Sequence, residues 1–153
     1  MVNSKVKNAT LCSSNGIQFK SKLEKTIYDT LMSNGFQVEY EPIKYEVQPG
    51  FKPAVPFYTK DLKTRDLKLN PTKVIAITYT PDFIVRYNDI TAVIEAKGFL
   101  TDSYHIKRKM FRYYLENNKN TLGNILYFEI YTKKQLLQAI DIIKHYENKS
   151  SES

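Results

Sequence analysis

The stretch Thr91-Ala-Val-Ile-Glu-Ala-Lys97 alternates strictly enough to assign faces: Thr91, Val93, Glu95 and Lys97 point one way, Ala92, Ile94 and Ala96 the other. A carboxylate and an ammonium therefore emerge side by side at the end of a hydrophobic strand, just before Gly98. Asp82 follows Pro81 near the start of a second apolar segment, where its carboxylate can meet Glu95. Two acidic groups converging there repel unless a cation lies between them, and a hard, oxygen-seeking ion such as Mg²⁺ is the simplest answer. The tripeptide pattern alone decides nothing. Acid-x-Lys occurs at Asp61/Lys63, Asp66/Lys68, Glu95/Lys97 and Glu147/Lys149, and only the third copy ends a hydrophobic strand downstream of a Pro-Asp pair. The competing reading is a surface Glu–Lys pair on an edge strand.

The elements that must position these residues are legible in order. Phe19, Leu23, Ile27 and Leu31 recur every fourth residue and predict an amphipathic helix. Ser21-Lys-Leu-Glu24 is a capping-box pattern at its start and Asn34-Gly35 a stop signal at its end. Residues 36–47 are aromatic and β-branched and read as one or two short strands interrupted by Pro42. Residues 48–73 hold Pro49, Pro53, Pro56 and Pro71 with many charges, a long excursion with room for an edge ribbon. Strands are expected over 74–79, 81–87 and 91–97, with Asn88-Asp89 turning between the last two. A helix capped by Thr101 or Asp102 runs to about Asn118, a strand covers 124–131, and Thr132 opens a final helix with a second capping box to Gln135. The order helix, strands, helix, strand, helix implies an α/β fold with a central mixed sheet flanked by helices. Residues 1–16 read as a flexible basic arm, 17–148 as one domain, and 149–153 as a disordered tail.

The helix after Gly98 offers a separate clue. With Ile106 at zero and about 100° per residue, Met110 falls near 40°, Tyr114 near 80° and Phe111 near 140°. Lys107 then lies near 100°, inside the apolar arc, where an amine is costly unless it reaches an anion, the carboxylate cluster or a nucleic-acid phosphate, or snorkels to the helix edge. Arg108 and Lys109 fall outside the arc and, with Arg112, Lys20 and Lys22, read as a solvated basic face able to contact a nucleic-acid backbone.

Composition limits the partners. The chain has 153 residues, 23 Lys and Arg against 16 Asp and Glu, and a net charge of +7, which favours an anionic partner. The longest purely apolar run, Val74–Ile77, cannot span a bilayer, and the N-terminus lacks a signal-peptide core. A lone cysteine, Cys12, makes no internal disulfide. Neither a Walker loop nor a dinucleotide fingerprint occurs, so no nucleotide cofactor is expected, and His105 and His145 read as surface residues. Together these features read as a cytoplasmic protein.

The motifs Phe19-Lys-Ser-Lys-Leu-Glu24, Tyr40-Glu-Pro42, Tyr79-Thr-Pro-Asp-Phe83 and Val93-Ile-Glu-Ala-Lys-Gly98 resemble the PD-(D/E)XK nuclease superfamily. Within it they are similar to phage endonuclease I, a Holliday junction resolvase. The segment Thr101–Phe111 also looks like that of small phage proteins in the same superfamily. The resemblance covers about residues 17–131. It implies a restriction-endonuclease-like αβββαβ core and a Mg²⁺-dependent endodeoxyribonuclease, with Mn²⁺ able to substitute. It further implies metal held by Asp82, Glu95, the Ala96 carbonyl and Glu24. Lys97 is implied as the residue that orients water or stabilises phosphate charge. Also implied are branched DNA as substrate, a homodimer, and a phage or prophage source in a bacterial host. Two other readings stay open: a nicking or exonuclease activity on ordinary DNA, and a non-catalytic DNA-binding accessory protein.

Overall fold

The structure, a computed structural model, describes residues 12–146. Its element order is β1 (Cys12–Ser14), β2 (Ile17–Phe19), α1 (Lys22–Ser33), β3 (Gln37–Tyr40), β4 (Tyr45–Gln48), β5 (Tyr58–Lys60), β6 (Leu67–Leu69), β7 (Ile77–Tyr79), β8 (Phe83–Tyr87), β9 (Ile90–Ala96), α2 (Asp102–Leu122), β10 (Asn124–Ile130) and α3 (Lys133–Lys144). Four strands form the central sheet in the order β10-β9-β8-β3. The β3/β8 and β8/β9 pairs are antiparallel, and β9/β10 is parallel. A parallel pair needs a crossover, and α2 provides it. The fold is therefore the mixed α/β arrangement expected, with three helices around a mixed sheet.

Local signals account for most element ends. The Ser21 hydroxyl accepts from Glu24 N–H at 3.1 Å, and Phe36 N–H returns to the Leu31 carbonyl at 3.2 Å around Gly35, whose φ of 83° suits glycine. Thr132 and Gln135 form the full capping box at the start of α3. Some boundaries differ from expectation: α2 runs past Asn118 to Leu122, and the strand expected over 74–79 is confined to Ile77–Tyr79. Cys12–Ser14, placed in the flexible arm, pairs with β2 in a hairpin whose turn residues Asn15 and Gly16 have φ 49° and 77°. Asn-Gly adopts the two consecutive left-handed conformations that such a tight hairpin needs. The rest of the arm, and the tail at 149–153, lie outside the described residues.

Two apolar layers clamp the sheet. Ile27, Leu31, Leu136 and Ile143 of α1 and α3 pack on Phe83, Val85 and Ile94. On the opposite face Tyr104 and Phe111 of α2 meet Tyr45, Tyr79, Ile84 and Val93. The alternation read along 91–97 is thus realised, with Ile94 in one layer and Val93 in the other. Covered on both sides, β9 presents its C-terminal end as a fixed platform. The 48–73 excursion is not an edge strand of this sheet. Its β5 and β6 pair only with each other, and β4 and β7 form a second separate pair at its base.

Candidate active site

Glu24 and Glu95 are the two buried charged side chains among the described residues, 7% and 5% exposed. Charges are rarely enclosed without partners, and both have them. Glu95 Oε1 pairs with Lys97 Nζ at 2.5 Å, and its Oε2 accepts from the Tyr79 hydroxyl at 2.6 Å. Asp82 comes in from the start of β8, and its Oδ2 accepts from Ala96 N–H at 2.7 Å. The sequence-assigned Asp82, Glu95, Ala96 and Lys97 therefore meet at the end of β9.

The electrostatics follow from that crowding. Burial, then the negative charge of Glu95, pushes Asp82 from 3.8 up to about 8, against the Ala96 N–H bond; Glu24 pushes the same way and Lys97 opposes it. Glu24 thus acts on Asp82 from α1, on the far side of the sheet from α2. It also serves its own helix end. Its Oε1 accepts from the Ser21 hydroxyl at 3.0 Å, and its Oε2 from Lys20 N–H at 3.1 Å and the Tyr40 hydroxyl at 2.7 Å. Glu24 thus supports the start of α1, with Ser21 capping its N–H, while its charge adds to the field at Asp82.

Lys97 is held from two sides. Only 16% of its side chain is exposed, and its amine lies 3.6 Å from the centre of the Tyr104 ring while pairing with Glu95. Tyr104 donates to Glu129 Oε2 at 2.7 Å, and Arg108 holds Glu129 at 3.0 and 3.2 Å. Glu129 is the partner of Glu95 in the β9/β10 ladder, so both project on one face. Between them the Tyr127 hydroxyl lies 3.2 Å from that of Tyr79 and 3.3 Å from that of Tyr104. Tyr79 and Tyr104 spend their protons on glutamates, so the single Tyr127 proton serves one of the two oxygens at a time. Burial, joined by the neighbouring carboxylates, raises the hydroxyl pKa of Tyr79, Tyr104 and Tyr127 above the ordinary tyrosine value. All three therefore remain neutral donors. The Phe111 ring, 4.6 Å from Tyr79 and 5.3 Å from Tyr127 by centroid, sets their orientation.

Several expectations for the basic residues are corrected. Arg108 is half-buried and clasped by Glu129, with His105 Nδ1 at 3.2 Å; His105 is likewise half-buried. Ile106, taken as one end of the apolar arc, is 61% exposed. The buried stripe of α2 runs through Tyr104 and Phe111 instead, because those rings fill the gap to the sheet and Glu129 provides a counter-charge for Arg108. Lys107 is half-buried and forms no ion pair with a described residue. Lys20 pairs with Glu41 instead of standing free. Burial acts against its charge, but the Glu41 bond and the charges of Glu41, Asp82 and Glu24 outweigh it and raise its pKa. Lys22, Lys109 and Arg112 are exposed as expected.

Sequence reading missed Glu41, Tyr79, Tyr104, Tyr127 and Glu129. Glu41 has a left-handed backbone at φ 45°, and its N–H binds the Asp82 carbonyl at 2.7 Å, tying the turn after β3 to the site. Tyr79, three residues before Asp82, carried a local signal; Glu129 became visible only through strand register. No described group of three or more His, Cys, Asp or Glu side chains is arranged to hold a metal ion. The donor chemistry nevertheless fits a hard divalent cation: Asp82 and Glu95 are enclosed carboxylates that repel, with Glu24 adding to the same field. No described helix is long and apolar enough to cross a membrane. Comparison with curated proteins finds no match. Residues 4–130 match the family described as "Protein of unknown function (DUF1064)", to which this chain belongs.

Proposed function

We propose that this protein is a metal-dependent endodeoxyribonuclease of the PD-(D/E)XK type that hydrolyses DNA phosphodiester bonds, with branched DNA as its preferred substrate. The observation that carries the reading is the enclosure of Glu95, Asp82 and Lys97 at one strand end, with Asp82 pushed up to about 8. A module that only bound DNA would gain nothing by crowding carboxylates where a phosphate must sit. Asp82 and Glu95, with the Ala96 carbonyl and Glu24, would hold Mg²⁺ or Mn²⁺. Bound there, the ion supplies positive charge against the phosphate and acidifies water.

The chain's own residues divide the remaining work. Glu95 anchors the Lys97 amine, and the Tyr104 ring limits where that amine can go, so it is directed at the strand end without a reorganisation cost. From there Lys97 orients the attacking water or stabilises charge on the phosphoryl oxygens. Tyr79 keeps one Glu95 oxygen in place. Lys109 and Arg112, exposed on α2, and Lys22 at the start of α1 contact the DNA backbone. Cutting both strands of a branched substrate requires two sites, which a homodimer provides. The setting is the cytoplasm of a bacterial host carrying a phage or prophage.

Cleavage of a labelled synthetic four-way junction, beside matched duplex and single strand, with Mg²⁺ or EDTA and a Lys97→Ala control, tests the reading. Paired cuts near the branch that need both metal and Lys97 are expected. Cutting of plain duplex alone would remove the junction preference, and binding without cutting of any substrate would replace the enzyme by an accessory DNA-binding protein.

A further inference from the structure

The excursion between Phe51 and Ile75 is a built ribbon. Phe51 and Val74 exchange backbone hydrogen bonds at 2.9 Å, Asn70 N–H reaches the Phe57 carbonyl at 2.8 Å, and Tyr58↔Leu69 and Lys60↔Leu67 pair beyond them. Its base is pinned at Gly50, where a Cβ would lie 3.0 Å from Ala76 N and Val74 O. Its tip is equally defined. One Asp61 carboxylate oxygen accepts from Lys63 N–H at 2.8 Å and Thr64 N–H at 3.0 Å, the other pairs with Lys68, and Arg65 takes a left-handed backbone with φ 65°. This ordered turn holds Leu62 out at 92% exposure, with Leu67 at 79% behind it and Val55, Phe57 and Tyr58 exposed farther down. Large apolar side chains held out on an ordered element mark an interaction site.

Charge selects the partner. Residues 51–75 carry six cations, Lys52, Lys60, Lys63, Arg65, Lys68 and Lys73, against Asp61 and Asp66, a net +4 of the chain's +7. Of the two carboxylates, Asp61 is folded into the turn. A second copy laid against this ribbon would bring the same positive charge, whereas a polyanion would be attracted to it. A two-stranded antiparallel ribbon fits a groove of duplex DNA, and apolar side chains flanked by cations are what wedge between base steps. The ribbon leaves the domain through β7, whose far end bears Tyr79 of the site, and ten extended residues reach at most about 33 Å, roughly one turn of duplex.

We propose that the Phe51–Ile75 ribbon is a second DNA-contacting element, which seats its basic edges on the phosphates and presents Leu62 and Leu67 as an apolar wedge that bends or unstacks the duplex beside the branch. The proposal rests on the nuclease reading and names how that site selects deformable or branched DNA. Binding of a 2-aminopurine-labelled four-way junction and a matched linear duplex by the full chain in EDTA, over a salt series, tests it without needing cleavage. Leu62→Ser/Leu67→Ser should lose the unstacking signal and at least about tenfold in junction affinity, with an unchanged salt slope. Lys60→Ala/Lys63→Ala/Arg65→Ala should lower the slope of log affinity against log salt by about two to three. These side chains project from the ribbon, so thermal melts should coincide with wild type. Wild-type binding by both variants would overturn the ribbon while leaving the nuclease reading in place. A dimer converted to monomer by the leucine changes, with DNA affinity intact, would reassign the ribbon to self-association. Failure of the wild-type chain to bind any DNA would remove both readings.

Discussion

Replacing Asp82 by Asn should kill cleavage and yet make the metal-free protein more stable. Asp82 titrates near 3.8 in an unfolded chain and is pushed to about 8 in the fold by burial first and by Glu95 second. The folded state therefore keeps a proton that the unfolded state releases. The fold's advantage is full below about pH 4 and declines as pH rises to about 8, at up to about 1.4 kcal/mol per pH unit. By pH 7 that amounts to roughly 4 kcal/mol as an upper bound, and relaxation around the carboxylate reduces it to about 2–4 kcal/mol. Asn is isosteric, its side-chain oxygen can still accept the Ala96 N–H, and it has no charge to lose. In EDTA at pH 8, Asp82→Asn should therefore melt roughly 5–15 °C above wild type, with the gap closing toward pH 4.5. Urea or thermal unfolding of both proteins across pH 4.5–9 checks this, since titrations common to both cancel in the difference. Superimposable curves would refute the reasoning, because they would mean that Asp82 is not under electrostatic pressure at the strand end. A variant that is more stable and inactive would show the pressure to be retained for chemistry.

The remaining expectations use other parts of the site. Because a metal must displace the Asp82 proton, Mg²⁺ affinity by calorimetry should rise up to about tenfold per pH unit between pH 6 and 8 and level off above; a flat profile would place the ion elsewhere. Tyr104→Leu removes the ring under Lys97 and should slow single-turnover cleavage by roughly 3–30-fold, whereas Tyr104→Phe, which keeps the ring and loses the hydroxyl's contacts with Glu129 and Tyr127, should stay within about threefold of wild type. Equal loss in both variants would give the hydroxyl, not the ring, the larger role. Arg108→Ala should leave the salt slope of DNA binding unchanged, because Glu129 already neutralises that side chain, while Lys109→Ala and Arg112→Ala should each reduce it by about one.

The sequence carried those parts of the design whose cause is local. The alternation along Thr91–Lys97 placed Glu95 and Lys97 on one face. Ser21 and Thr132 announced helix starts, and Pro81-Asp82 marked the strand that supplies the second carboxylate. Each signal acts over two to four residues, within reach of one turn or one pleat. Asn15-Gly16 is an equally local hairpin signal, set in polar surroundings. What a single chain segment cannot encode is which residue lies opposite. Glu129 faces Glu95 only because the parallel β9/β10 register aligns them, and Arg108 folds back on that side because Glu129 is there to receive it. The rotation of α2 that hides Tyr104 and exposes Ile106 is likewise set by the space left above the sheet, not by the helix's own pattern. The sequence by itself determined the mixed α/β order and the carboxylate–lysine strand end. Tertiary structure alone decided the tyrosine bridge from Glu95 to Glu129, the enclosure that raises Asp82 and the projection of the Leu62 ribbon, since burial and charge proximity exist only once distant segments are packed together.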